Sequence, residues 1–280
     1  MNQAPLSAEE MRQKATWVRA ETLLLHQRAP GIRIASSLSP VEFLVALYYS
    51  SPLRHDPARP DWSERDRLIM SKGHGVISIY PILADLGYFP LEELEKIATE
   101  ASFLGVIPDA SIPGIETTNG ALGHGLGVAT GMALALRQMG NDAQLCVVCG
   151  DGEMNEGSVW ESIMLASRHR LGNLLLVVDD NRISMLGFQD QILDLAPLEE
   201  KLSIFGWEAE RVDGHDPLAI AGRLQALWRA GGDRPRALIL DTIKGKGVAS
   251  LENQPLSHVM SLSPAEVDAA IARCPAGAGA

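Results

Sequence analysis

The chain has 280 residues, of which 46% are apolar and 21% charged, a balance that sustains a large buried core and excludes disorder or collagen-like repetition. Its 24 Lys and Arg against 35 Asp and Glu leave a formal charge of −11, which argues against a general nucleic-acid binder and disfavours anionic membrane surfaces. Small anionic ligands stay open, because a local site can oppose the net charge.

In chain order, Ser7 with Glu10 three residues on reads as a capping box opening a helix to about Gln27. Residues 28–37 read as loop. Pro40 in Ser39-Pro40-Val41-Glu42 opens a second helix from its first position. Residues 51–67, rich in Pro, Arg and Asp, read as surface loop. Leu68–Met70 is a short strand, and helices are expected near Val76 and near Pro90. Gly125–Arg137 is a helix rich in small residues, suited to close packing. Gln144–Cys149 and Asn173–Val178 are buried strands flanking a helix over Val159–Arg170. Glu208–Val212 and Arg236–Thr242 are later strands around a helix at Pro217–Arg229. This alternation predicts an α/β fold, a doubly wound, mostly parallel sheet with helices on both faces. No repeat or linker divides the chain, so a single domain over 1–280 is expected, with a frayed tail at 274–280. Cys146 and Cys149 fall on opposite faces of one strand and read as buried thiols rather than a redox pair. The N-terminus shows no signal-peptide core and no stretch approaches the roughly 20 apolar residues of a membrane span, so a cytoplasmic chain is expected.

Ligands in such sheets bind at the carboxyl ends of the strands. Gly150-Asp151-Gly152 stands at one of these ends, where glycines admit a phosphate to the backbone N–H groups and Asp151 offers a hard oxygen. Asn181 offers an amide oxygen at the next. A carboxylate, an amide, a backbone carbonyl and diphosphate oxygens suit Mg²⁺ or Ca²⁺. A helix cap at Asp151 and a plain turn at Asp179-Asp180-Asn181 are the alternatives; two such turns at successive strand ends favour the diphosphate–metal reading. Thr118–Gly127 carries four glycines before a helix but lacks a dinucleotide signature. His74, flanked by glycines after a strand, faces the cleft as a phosphate donor or acid–base group. His258 lies in a late polar loop.

The spacing from Gly150-Asp151-Gly152 to Asn181 resembles the diphosphate motif of thiamine diphosphate enzymes. The surrounding stretches resemble transketolase: Ser71–Gly75, Glu116–Gly125, Gly150–Gly157, Asp179–Ser184, Asp213-Gly214-His215-Asp216 and Thr242–Gly247. They follow one another in family order over most of the chain. The resemblance implies thiamine diphosphate as cofactor, with Mg²⁺ or possible Ca²⁺ held by Asp151, Asn181 and the carbonyl of Ile183. It implies cofactor contacts from His74, Gly120, Ala121, Leu122, Gly152, Glu153, Asn181 and His258. His74, His258 and Glu156 take catalytic roles, Glu156 within a carboxylate network linking two active sites. The chain stops where the family's first domain stops. It is therefore expected to be the N-terminal subunit of a split transketolase, with a C-terminal partner carrying the pyrimidine-binding domain in an α2β2 heterotetramer.

Two positions depart from the family. Arg33, in Ile32-Arg33-Ile34-Ala35, stands where the family has histidine, and Ile107 replaces the histidine of Gly-His-Pro-Asp. Arg33 cannot serve as a neutral-pH base but can grip a carboxylate, phosphate or sulfonate bidentately. The expected activity is transfer of a two-carbon ketol unit, or related acyl unit, from a non-standard, anionic or less hydroxylated donor to an aldehyde. The alternatives are ordinary sugar-phosphate transketolase, an acyl transferase that decarboxylates a 2-oxo acid, and a silent scaffold subunit.

Overall fold

A computed structural model describes residues 4–50, 52–185 and 187–274; the expected frayed tail falls outside them beyond Cys274. The capping box forms: the Ser7 N–H donates to Glu10 Oε2 at 2.8 Å and opens α1 (Ala8–Arg28). Residues 28–37, expected as loop, contain a short helix, α2 (Ile34–Leu38). No cap or apolar period announces it. It forms because all five residues are buried between α1 and the chain's C-terminal segment, so tertiary packing overrides a weak local signal. In α3 (Val41–Tyr49), Pro40 is the cap residue rather than the first helical one.

Strand β1 (Arg67–Met70) leads into a 3₁₀ segment, Gly73–Ser78, and α4 (Ile79–Asp85). The helix expected near Pro90 is a 3₁₀ segment, Leu91–Lys96. Next come α5 (Gly125–Gln138), β2 (Leu145–Gly150), α6 (Gly157–Arg168) and β3 (Leu174–Asp180). Two short helices, α7 (Gln189–Ile192) and α8 (Leu198–Ile204), precede β4 (Glu208–Asp213), α9 (Pro217–Leu227) and β5 (Arg236–Asp241). Helix α10 (Pro264–Arg273) closes the described chain. Neither α7, α8 nor α10 follows from the strand–helix alternation, although Ser263 and Glu266 form a second capping box at α10.

Among the described residues the five strands are all parallel, in the order β1-β2-β3-β5-β4. β2 and β3 are buried on both faces, which is why they read as unbroken apolar runs. Cys146 and Val148 join Leu175 and Val177 under α1, α3, α4 and α9. Val147 and Cys149 join Leu176 and Val178 under α5, α6 and α8. The two cysteines are thus free, buried and on opposite faces. From β4 to β5 the chain turns back along the sheet, and a right-handed crossover then requires the opposite face, where α9 lies. The small residues of α5 permit the close approach expected of them: a Cβ on Gly125 would stand 2.3 Å from Ser71 Oγ. Among the described residues no helix is long and apolar enough to cross a membrane.

Register sets the site. Gly150 pairs with Asp179, and Asp180 with Asp241, so β2, β3 and β5 release their turns at one level. A third apolar cluster packs Val248, Leu251 and Leu262 onto Leu23, Ile34 and Leu38, which folds the C-terminal segment back over that edge.

Candidate active site

A cleft of about 380 Å³ opens at the carboxyl ends of the strands. The turns after β1, β2, β3 and β5 meet there with α2 and the Pro255–His258 segment. A second cavity of about 360 Å³ adjoins it through Asp151 and is lined by Asp180, Phe188 and Leu195; none of the histidines reaches it.

The cleft is built on a buried ion pair. Lys72, two residues past β1, donates to Asp179 Oδ2, which also accepts from Ser39 Oγ at 2.6 Å; Thr242 Oγ1 donates to Asp179 Oδ1. Burial opposes ionisation of Asp179, but the Lys72 ammonium and the hydroxyls hold it below the usual carboxylate range.

Above this pair lie the expected metal-ligating groups. Asp151 Oδ1 accepts from the Gly152 N–H at 2.7 Å, while its buried Oδ2 has no hydrogen-bond partner among the described residues. Burial, reinforced by the charges of Asp179 and Asp180, pushes the Asp151 carboxyl up to about 7. Asn181 Oδ1 accepts from the Ile183 N–H at 3.2 Å. Between them Arg182 adopts φ 62°, a left-handed conformation that sets Asn181 and Ile183 on one bend. A Cβ on Gly152 would sit 3.1 Å from Ser184 Oγ, so glycine is what lets these two turns approach. An orphaned buried carboxylate oxygen beside an amide and a carbonyl is a donor set of the kind a hard divalent cation takes. Among the described residues no cluster of three or more His, Cys, Asp or Glu forms a metal site; this set draws on neutral oxygens instead.

The glycine-rich loop is bolted to the same floor. Glu153, buried, takes the Gly123 N–H at 2.8 Å and the Ser71 hydroxyl on Oε1, and the Gly150 N–H at 3.2 Å on Oε2. Its carboxylate therefore lines the cleft with its hydrogen bonds directed to the protein. Asn119 donates to the Met70 carbonyl at 3.0 Å. Gly120 and Leu122 line the cleft; Ala121 between them is exposed and does not. Glu156 stands exposed at the cleft rim, at the start of α6.

His74 and His258 meet edge to face with ring centroids 5.0 Å apart. Burial first, then the positive charge of Lys72, lowers His74 far below its ordinary value; burial and the charge of Lys244 bring His258 down to about 4. Both rings are neutral at pH 7, each with one N–H donor and one acceptor nitrogen. Ser36 Oγ lies 3.5 Å from His258 Nδ1. Arg33 caps α2, is exposed, and lines the cleft close enough for its charge to act on His258. Ile107 is exposed and outside the cleft lining; its carbonyl accepts from Tyr80 Oη at 3.3 Å.

Sequence reasoning did not single out Lys72, Ser39, Thr242 or Lys244. Lys72 lies 107 residues from Asp179, so no local pattern pairs them. Lys244 carried one usable signal, a basic residue just past a strand end.

Residues 30–275 match the family described as transketolase, thiamine diphosphate binding domain. A 6-deoxy-6-sulfo-D-fructose transketolase subunit of a Clostridium species is 37% identical over 94% of this chain and 95% of its own length. An apulose-4-phosphate transketolase subunit of Actinobacillus succinogenes is 36% identical over 92% of this chain and 93% of its own. The crystal structure of Campylobacter jejuni transketolase superposes with a TM-score of 0.89 at 28% identity, over 96% of this chain and 43% of that one.

Proposed function

This chain belongs to the transketolase family and carries its thiamine diphosphate-binding domain, and on that premise we propose that it is the N-terminal subunit of a two-component transketolase whose donor is an anionic ketose. The whole chain then acts as one cofactor-binding domain. A separate partner brings the pyrimidine-binding domain, in a cytoplasmic assembly of two copies of each. Relatives named as subunits, matched along nearly their whole length, support the division.

The observation that carries the reading is the unpartnered Asp151 Oδ2 beside Asn181 and the Ile183 carbonyl. These three oxygens would hold Mg²⁺, and Ca²⁺ suits the same donors. The glycine-lined backbone at Gly152 admits the diphosphate, while Gly120 and Leu122 form a wall for the ring. When bound, thiamine diphosphate supplies the carbon that carries the two-carbon unit between donor and acceptor. The chain's own residues bind, orient and move protons. Neutral His74 and His258 can give a proton to, or take one from, donor hydroxyls without first losing a charge. Ser36 leaves the Nε2 of His258 for that exchange. Glu153 holds the glycine loop against the β2 turn, and Glu156 at the cleft rim is placed to join the carboxylates of a second site in the assembly.

Arg33 at the rim supplies a planar fork for a phosphate or sulfonate at the far end of the donor. Relatives named for a sulfosugar and a sugar phosphate support an anionic donor. With the partner chain, Mg²⁺ and thiamine diphosphate, aldehyde release from 6-sulfo and 6-phospho ketoses is expected. Arg33→Ala should raise KM for these donors by about tenfold or more, as expected from loss of a charged hydrogen bond, with cofactor affinity unchanged. CO₂ release from pyruvate without ketose cleavage would replace this reading with acyl transfer. Absence of cofactor binding would make the chain a silent subunit.

A further inference from the structure

Helix α2 is five residues long and has no side-chain cap, so its own hydrogen bonds cannot hold it. It is held from outside, at two carbonyls. Arg19 Nη1 donates to the Leu38 carbonyl at 2.9 Å, and the Gly245 N–H donates to the Ala35 carbonyl at 2.9 Å. Both donors belong to one network. Arg19 Nη1 also donates to the Lys246 carbonyl at 2.6 Å, and Arg19 Nη2 donates to Glu42 Oε1. Glu42 Oε2 accepts from His215 Nδ1 at 3.1 Å, and His215 Nε2 accepts from the Ile243 N–H at 2.8 Å. From Ile243 the chain runs two residues to Gly245 and so back to α2. Residues of α1, α3 and the turns after β4 and β5 thus form a ring that closes on α2.

Each link has a defined sense. A ring nitrogen that accepts a backbone N–H carries no proton, so the His215 proton sits on Nδ1 and faces Glu42. Burial opposes the charge of Glu42, but Arg19 and His215 outweigh it and hold the carboxyl below its ordinary range. The ring has no slack at Arg19: a Cβ on Gly247, at φ 92°, would stand 2.7 Å from Arg19 Cδ. Arg19, Glu42 and His215 lie outside the cleft lining. What they reach is the helix that Arg33 caps, and Arg33 does line the cleft. We propose that Glu42 and His215 are positioning residues for the donor, fixing α2 so that the Arg33 fork meets the donor's anionic end. This rests on the reading of Arg33 as the partner of that anion. A guanidinium fork rewards bidentate geometry, so a small rotation of α2 weakens its grip on an anion. A donor with no charge at that end loses nothing by the rotation. The ring therefore sets the preference between donors rather than turnover in general.

The test uses the complex with the partner chain at saturating Mg²⁺ and thiamine diphosphate, with fructose 6-phosphate and the neutral ketose erythrulose as donors. The readout is the ratio of their kcat/KM values; general damage slows both donors and leaves the ratio in place. His215→Asn keeps a donor for Glu42 but cannot reach the Ile243 N–H. It should lower the ratio by about three- to tenfold, as expected from loss of one hydrogen bond, with the change in KM for the phosphate donor. His215→Gln, whose amide oxygen reaches the place of Nε2, should restore most of it. Glu42→Asp keeps a charge beside Arg19 but is one methylene too short to span both partners. It should lower the ratio likewise, and it serves where His215→Asn folds poorly. In an Arg33→Ala background His215→Asn should lower the ratio no further, because changes along one path are not additive. An unchanged ratio in His215→Asn and Glu42→Asp overturns the proposal, as does a full further fall in the Arg33→Ala background. Arg33→Ala alone separates the two ideas. A lower ratio there with none in the ring variants sinks the positioning role only; an unchanged ratio there sinks the donor reading and the positioning role with it.

Discussion

The ammonium of Lys72 and the carboxylate of Asp179 meet in the floor of the cleft with water excluded from both, at 1% and 0% exposure. The pair joins the turn after β1 to the end of β3, and its hydroxyl donors Ser39 and Thr242 bring in the approach to α3 and the residue after β5. Removing one partner leaves an uncompensated charge in the interior. Lys72→Met is expected to cost about 3–5 kcal/mol of folding stability, read from the denaturant midpoint. Lys72→Met with Asp179→Asn should recover most of that loss. A Lys72→Met variant within about 1 kcal/mol of wild type would mean that the pair is solvated and worth no more than a surface one.

Asp151 predicts a pH dependence with a definite sign. Its folded value of about 7 lies above the unfolded value near 3.9. The folded chain therefore binds the extra proton between these values. This group's stabilising contribution is full below about pH 4 and is lost as pH rises through about 7. A divalent cation claims the ionised form. Mg²⁺ should accordingly raise Tm more at pH 8 than at pH 5.5, and Asp151→Asn should remove both this Mg²⁺ effect and the group's share of the metal-free pH slope. A larger Mg²⁺ effect at pH 5.5 would contradict the assignment.

Two glycines in one loop should behave oppositely. Gly123 has φ 82°, and a Cβ there would sit 2.7 Å from Glu156 Cβ. Gly123→Ala is expected to cost about 1–3 kcal/mol through strain and displacement. A Cβ at Gly120 would meet nothing within 4 Å. Gly120→Ala should leave folding stability within about 0.5 kcal/mol, as for exposed positions free of special geometry, yet weaken cofactor binding, because the methyl group enters the space assigned to the ring. Thermal melts against calorimetric affinity separate the two; equal stability losses would argue against this picture of the loop.

The parts of this molecule that were legible from its amino acids are those with local causes. β2 and β3 announce themselves because strands buried on both faces must be apolar throughout. Ser7 and Glu10 announce α1 because the capping box lies within four residues. Asp151 and Asn181 stand out because each follows such a strand directly. Helix α2 was illegible because its cause is the C-terminal segment packed against it from more than two hundred residues away. Lys72 carries no local signal for the same reason, since its partner Asp179 comes from another strand end; Lys244 shows only its place just past a strand end. Helix α10 is different. Its Ser263-Pro264-Ala265-Glu266 start signal is present in the sequence, but it lies past the last strand, outside the strand–helix alternation.

The most direct test of a metal-dependent cofactor site at the strand ends is calorimetric titration of thiamine diphosphate into the complex of this chain with its partner. It is run with Mg²⁺ and with chelator, on wild type and on Asp151→Asn. Binding that needs both Mg²⁺ and the Asp151 carboxylate is the predicted result. Binding of equal strength in Asp151→Asn, or in chelator, would contradict the account.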